Sequence, residues 1–313
     1  MRRGVYAAAA RPREPEWLVD ERRHLHLVHA VGETMSAPIF TGFSALALHG
    51  LPTFGRWPAQ VSVVSGTGHG RRRNGIVWVA ACSEPPLAVA SGRRVTSVEF
   101  TLIQVCRAGT LAAGLAAVDA ALWVPRHGDR SPRTTLERLR AEHERLLPYP
   151  GSRRVEAVLS RATSRSETVL ETASRLVIEE LGFAAPALQH EFWLPELGMT
   201  ASVDFAWPAV GAVAEADGRG KYGSGEGASA AAAWRLVIAE KDRENAIRRQ
   251  VRGFDRWDWS DMARKVPIEQ RLTRIGVPRV RRRRSLIGRP TDPALRSTRA
   301  PATGGTPLSE TNT

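Results

Sequence analysis

Two short acidic segments in the second half of the chain constrain its fold more than any other feature. Val203-Asp204-Phe205-Ala206-Trp207 alternates as a strand does, with Val203, Phe205 and Trp207 on one face and Asp204 on the other. Val213-Ala214-Glu215-Ala216-Asp217 places Val213, Glu215 and Asp217 on one face and small alanines opposite. A strand with an alanine face is easily covered by a helix, so its carboxylates are held against a packed scaffold. A helix follows that carries Ala239-Glu240-Lys241-Asp242-Arg243-Glu244. Carboxylates converging on a sheet edge repel one another unless a cation lies between them. Hard oxygen ligands of this kind suit Mg²⁺ or Mn²⁺.

Composition limits the alternatives. At 313 residues, 42% of them hydrophobic, the chain can build two ordinary domains and a tail. No uninterrupted apolar stretch is long enough to span a bilayer, and the apolar run after Met1-Arg2-Arg3 is too short for a signal peptide. Cys82 and Cys106 lack metal-ligand spacing and read as small core residues in a reducing cytoplasm. The formal charge is +13, of which residues 269–313 supply +7 through ten arginines. Only Lys221, Lys241 and Lys265 are lysines among 45 basic residues, the bias of a GC-rich coding sequence. Part of the charge is therefore compositional, and the rest favours a polyanionic partner. In a chain that writes arginine by default a lysine is a choice, and two of the three fall beside the acidic segments.

Along the chain, the pattern predicts a helix over about 19–33 and a short one over Thr41–His49 closed by Gly50. Strands are expected at Gln60–Val64 and Gly75–Ala80, joined by a hairpin loop containing Arg71, Arg72 and Arg73. Helices are expected from Val95 to Arg107 and over 109–123. Pro125, Pro132, Pro148 and Pro150 surround a short charged helix and mark a junction. The second half should contain a helix over 165–182, a strand over 188–194, the two acidic strands, a helix over 230–250 and a last strand at Arg256-Trp257-Asp258-Trp259. The expected divisions are a domain over 1–124, a linker with a short helix over 125–160, a domain over 161–268 and a basic, disordered tail over 269–313.

With those residues in view, the segment from about 164 to 262 resembles the restriction-endonuclease-like PD-(D/E)xK superfamily, and within it the very-short-patch-repair-like nucleases and an uncharacterised group. The matching residues are Glu171-Thr172-Ala173-Ser174-Arg175, Val203 to Trp207, Glu215-Ala216-Asp217-Gly218-Arg219-Gly220-Lys221-Tyr222-Gly223, Glu240 to Glu244 and Arg256 to Trp259. The resemblance implies a mixed sheet flanked by helices and metal-dependent phosphodiester hydrolysis. It makes Asp204 and Glu215 metal ligands, Glu171 a third, and Mg²⁺ or Mn²⁺ the cofactor. Asp217 stands where the superfamily pattern has its lysine, so Lys241 or Lys221 would supply the amine. The very-short-patch-repair enzymes use a histidine instead, and no histidine follows Asp217 in this domain. The first 123 residues resemble the AbiEi-like antitoxin regulators through Arg3-Gly4-Val5-Tyr6, Ser44 to Pro52 and Val95-Thr96-Ser97, without the winged helix that precedes the first cue in that family.

The overall expectation is an α/β protein with an α+β N-terminal domain followed by the nuclease-like mixed sheet. Bland readings stand beside the sharp ones. Glu171 with Arg175, and Glu244 with Arg248, fit surface ion pairs four residues apart. Glu240 and Glu244 are like charges at that spacing, so one of them needs a cation from elsewhere. Trp207, Trp257 and Trp259 read as core aromatics, and His49 and His190 receive no role. Arg279, Arg281, Arg282, Arg283 and Arg284 form a run that is either solvated tail or a phosphate tether. Three functions remain open: a nuclease cutting nucleic acid, most simply DNA; a DNA-binding antitoxin-like regulator with an inert nuclease-like domain and a toxin partner; or a partner-binding protein with a vestigial acidic cluster. Nothing in the residues indicates a membrane partner or an oligomeric state.

Overall fold

The computed structural model describes residues 16–80, 84–125, 131–218 and 230–287, which form a mixed α/β structure. Helices α1 (Glu16–Thr34) and α2 (Gly42–Leu48) precede a small sheet of β1 (Val61–Val64), β2 (Arg71–Arg73) and β3 (Ile76–Val79) in the order β1-β3-β2. The expected hairpin between the first two apolar strands does not form, because β1 and β3 run parallel, with Val61 beside Ile76. The arginines are themselves a strand, folded back on β3 through Asn74 and Gly75, whose φ values of 49° and 74° suit a tight two-residue turn. A second, unanticipated hairpin joins β4 (Leu87–Ala90) to β5 (Arg93–Thr96). Val95 and Thr96 belong to that hairpin, so α3 (Val98–Ala108) starts later than expected, where Ser97 accepts the Phe100 N–H.

Helix α4 (Leu111–Leu122) leads to α5 (Leu136–Leu146) and α6 (Ser152–Leu159), which occupy the expected linker. They are not a linker. Leu139, Val155, Val158 and Leu159 enter one apolar core with Leu102, Leu115 and Cys106, and that core continues into Leu170, Leu176 and Ile178 of α7 (Val169–Leu181) and into Phe205 and Trp257. Burial pushes the Cys106 thiol up to about 12, consistent with a core residue; Cys82 lies outside the described residues. Buried Asp119 of α4 crosses the same junction. It accepts hydrogen bonds from Thr172 Oγ1 at 2.8 Å, the Thr163 N–H at 2.9 Å and Arg175 Nη2 at 2.5 Å. Arg175 thus turns to Asp119 and not to Glu171, its neighbour four residues back.

The second sheet has the order β6-β7-β8-β9, from β6 (Ala187–Leu194), β7 (Met199–Trp207), β8 (Ala212–Ala216) and β9 (Gly253–Trp257). The first three strands are successively antiparallel, whereas β9 is parallel to β8. A parallel neighbour needs a crossover, and α8 (Ala230–Gln250) lies on it. The sheet is covered on both faces. Helix α7 shares a core with Phe205, Trp207, Ala212 and Ala214, while Ala246 and Ile247 of α8 pack with Val203, Ala206 and Val213. The alanine face of β8 is therefore covered by a helix as expected. The alternation of β7 is not: Val203 packs on the α8 side and Phe205 on the α7 side, so the strand changes phase at Asp204.

Beyond β9, Asp258 caps α9 (Trp259–Arg264) by accepting the Asp261 N–H, so the expected last strand stops at Trp257. Trp257 and Trp207 are buried, but Trp259 is exposed and stacks on Phe54. The boundary expected at 268/269 falls inside α10 (Val266–Arg274). The arginine run after it is folded onto α7. The Val280 and Arg281 N–H groups donate to the Gly182 carbonyl, and Leu286 and Ile287 donate theirs to Glu180. Gly182 ends α7 with φ 83°, and any Cβ there would run into the Arg281 carbonyl, so glycine serves both the turn and the close approach. Residues 288–313 lie outside the described residues, as do Lys221, the Arg219–Gly223 segment and the Arg3–Tyr6 cue. Among the described residues no helix is long and apolar enough to cross a membrane.

Candidate functional site

On the α7 face, two carboxylates meet. The Thr168 hydroxyl caps α7 by accepting the Glu171 N–H at 3.2 Å and donates to Glu171 Oε1 at 2.9 Å. The Glu171 carboxylate also accepts the Glu167 N–H at 2.9 Å, in the manner of a capping box. Capping alone would explain a half-exposed glutamate. This one is 5% exposed and stands beside Asp204. The side-chain amide of Gln189 donates to both groups, at 3.1 Å to Glu171 Oε2 and 3.2 Å to Asp204 Oδ1. The other Asp204 oxygen accepts the Ala216 N–H at 2.8 Å. Burial, and after it the charge of Asp204, raises the Glu171 carboxyl from 4.5 to about 7, although the bonds from Glu167 and Thr168 oppose the shift.

Gln189 faces Asp204 across the β6–β7 ladder, between the pairs Leu188–Phe205 and His190–Val203. Its φ is 51°, the left-handed region that a non-glycine residue enters at a cost of order 1–3 kcal/mol. The phase change at Asp204 and the left-handed turn at Gln189 are thus one irregularity, and it aims an amide at two carboxylates. A cleft of about 810 Å³ opens beside it, lined by Trp123, Arg165, Glu167, Gln189 and His190 among others.

The opposite face is organised differently. Glu215, on the same side of β8 as Val213, meets Arg243 of α8 at 2.8 Å and Arg256 of β9 at 2.6 Å. Arg243 also binds Glu240 at 2.9 Å, and Arg256 lies 3.2 Å from Glu244 and 3.7 Å from Asp217. Four carboxylates therefore surround two guanidiniums, and both arginines are held above their ordinary range by that company. Arg256 Nε is buried without a hydrogen-bond partner among the described residues. Glu240 and Glu244 each find their cation, and the Glu244–Arg248 pair forms at 2.7 Å.

The structure thus unites two of the three expected metal ligands, Glu171 and Asp204, and assigns Glu215 and Asp217 to the arginine cluster. Among the described residues no group of three or more Asp, Glu, His or Cys is placed to hold a metal ion. Lys241 is exposed, roughly 160° around α8 from Arg243 at 100° per residue, so its amine points away from the sheet. Three arginines of the run are paired: Arg279 and Arg283 bind Glu269, and Arg284 binds Glu179. Arg281 and Arg282 are exposed. Sequence reasoning missed Gln189, Arg243 and Arg256 as members of these sites. The last two stood inside the quoted motif segments, but nothing in the sequence tied them to Glu215.

Comparison with protein families, curated proteins and solved structures finds no match to this chain.

Proposed function

We propose that the protein is a metal-dependent nuclease whose reaction centre is the Glu171–Asp204 pair. The supporting observation is a buried glutamate lifted to about 7 by burial and an adjacent aspartate, bridged by Gln189, whose left-handed strand position lines an open cleft. Two oxygen donors in that state fit a hard divalent cation, which would relieve their repulsion. Glu171 and Asp204 would hold Mg²⁺ or Mn²⁺, and the ion would supply Lewis-acid activation of water and of a phosphodiester. The chain's own contribution is positional. Thr168 and the Glu167 N–H fix the Glu171 carboxylate, and the Ala216 N–H fixes Asp204. Gln189 bridges the two carboxylates through its neutral side-chain amide, in the place a divalent cation would take.

A second reading, an inert nuclease-like domain in a DNA-binding regulator, rests on a specific observation. Glu215 is engaged by Arg243 and Arg256, and Lys241 faces outward, so among the described residues neither joins the pair; Lys221 lies outside them. Titration calorimetry with MgCl₂ and MnCl₂, followed by cleavage assays on plasmid and RNA, separates the two. Metal binding and cleavage that are both lost in Glu171→Gln and Asp204→Asn support the nuclease. A wild-type protein that cleaves neither substrate supports the regulator.

A further inference from the structure

We propose that the β2 edge strand is a docking surface for the phosphate backbone of a nucleic acid. The inference goes beyond the reaction centre and holds for a nuclease and for a regulator alike. Its first observation is the charge of the surrounding chain. Between Glu33 and Glu84 there is no Asp or Glu, while Arg56, Arg71, Arg72 and Arg73 all fall there. The second is placement. Strand β2 is the outer strand of its sheet, and Arg71, Arg72 and Arg73 are all exposed. Among the described residues a number of arginines elsewhere are paired with carboxylates, as at Arg161–Glu179, Arg243–Glu215 and Arg279–Glu269. Arg71 and Arg73 form no ion pair among the described residues.

The third observation is order. Arg71 lies directly across from Trp78 on β3, and its guanidinium sits 4.2 Å from the indole centroid. The stacked arginine keeps its N–H edge free for an anion. Alternate residues of a strand share a face and stand roughly 7 Å apart, so Arg71 and Arg73 can take successive phosphates along one strand of nucleic acid. Arg72 points to the other face. The tight turn at Asn74–Gly75 fixes where the strand ends. Charge complementarity thus commits the surface to a polyanion with closely and regularly spaced phosphates.

The test uses the full chain in EDTA, so that cleavage plays no part. Binding of fluorescein-labelled duplex DNA and of single-stranded RNA is followed by anisotropy over a salt series. For Arg71→Gln/Arg73→Gln the expected result is at least a ten-fold loss of affinity at low salt. The slope of log K against log salt should be shallower by about 1.8, the value for two lost phosphate contacts to a duplex. Arg71→Lys/Arg73→Lys should keep most of the slope, and circular dichroism melts should show both variants folded. Arg281→Gln/Arg282→Gln serves as the comparison. An unchanged slope in the glutamine pair overturns the proposal, and so does an equal loss in the Arg281/Arg282 pair. Loss of binding to phosphatidylserine vesicles with nucleic-acid affinity intact overturns it as well. If the wild type binds but never cuts once Mg²⁺ is supplied, the docking surface stands and only the nuclease reading falls.

Discussion

The two faces of the β6–β9 sheet hold carboxylates in opposite circumstances. On the α8 face, Glu215, Asp217, Glu240 and Glu244 share two guanidiniums, and Glu240 is held below its ordinary range by Arg243 and Arg256. On the α7 face, Glu171 and Asp204 both accept from the neutral amide of Gln189, and Glu171 is raised to about 7. Similar acids on one sheet thus become scaffold on one side and a reactive pair on the other. What decides is the neighbouring charge. A fixed guanidinium makes an ion pair part of the structure, whereas burial beside a second carboxylate favours a proton or a cation at Glu171.

The largest expected effect lies on the scaffold side. Arg256→Ala removes a partner from Glu215, Glu240 and Glu244 at once and leaves buried Glu215 with Arg243 alone. Losing one partner of a buried pair costs about 3–5 kcal/mol. Because the Arg256 side chain is 28% exposed, a loss of about 3 kcal/mol in urea unfolding is expected. A loss below about 1 kcal/mol would mean that solvent, and not the arginine, neutralises this face, and the contrast between faces would collapse.

The next effect sits on the reactive side and has a sign. Glu171 is raised from 4.5 to about 7 on folding, so between those values the folded protein retains a proton that the unfolded chain releases. Stability therefore falls as pH rises from about 4.5 to about 7, by up to about 3 kcal/mol, and is then flat. Glu171→Gln should abolish that decline in denaturation curves taken across the range. At pH 8, MnCl₂ should raise the wild-type melting temperature and leave that of Glu171→Gln unmoved. A flat wild-type curve between pH 4.5 and 7 would show that the pair is already neutralised, like its counterpart on the other face.

The sequence carried part of this comparison and concealed the rest for identifiable reasons. Alternation in Ala212–Ala216 made Glu215 share a face with Val213, and it does, because β8 is a regular strand between two partners. The helix expected over 165–182 is present as α7, although it starts at Val169 behind the Thr168 cap. The same alternation misassigned Val203, since a left-handed residue on the neighbouring strand, Gln189, accompanies the phase change at Asp204, and no pattern within β7 records it. The arginines that neutralise Glu215 come from 28 and 41 residues downstream, so only the crossover of α8 and the parallel register of β9 bring them in. The run at 279–284 read as either solvated tail or phosphate tether because its partners, Glu179, Glu269 and the Gly182 carbonyl, are separated from it in sequence. Arg71–Arg73, expected in a loop, proved to be an exposed edge strand.

The smallest expected effect concerns Asp217, the residue that stands in the lysine position of the nuclease pattern. Its carboxylate is 37% exposed and 3.7 Å from Arg256, while its N–H is spent on the Trp257 carbonyl in the continuation of the β8–β9 ladder. A long, partly exposed pair contributes little, and Arg256 keeps Glu215 and Glu244 when it is lost. Asp217→Asn should therefore cost under about 0.5 kcal/mol in urea unfolding. It should also leave the pH dependence attributed to Glu171 in place, because that group responds to Asp204 on the other face. A cost above about 1 kcal/mol would make Asp217 part of the buried ion network instead of its rim. A shift of the Glu171 transition in the same variant would mean that the two faces are electrostatically one site. The division by neighbouring charge would then have to give way to a single six-carboxylate centre spanning the sheet edge, with Arg243 and Arg256 as its resident cations.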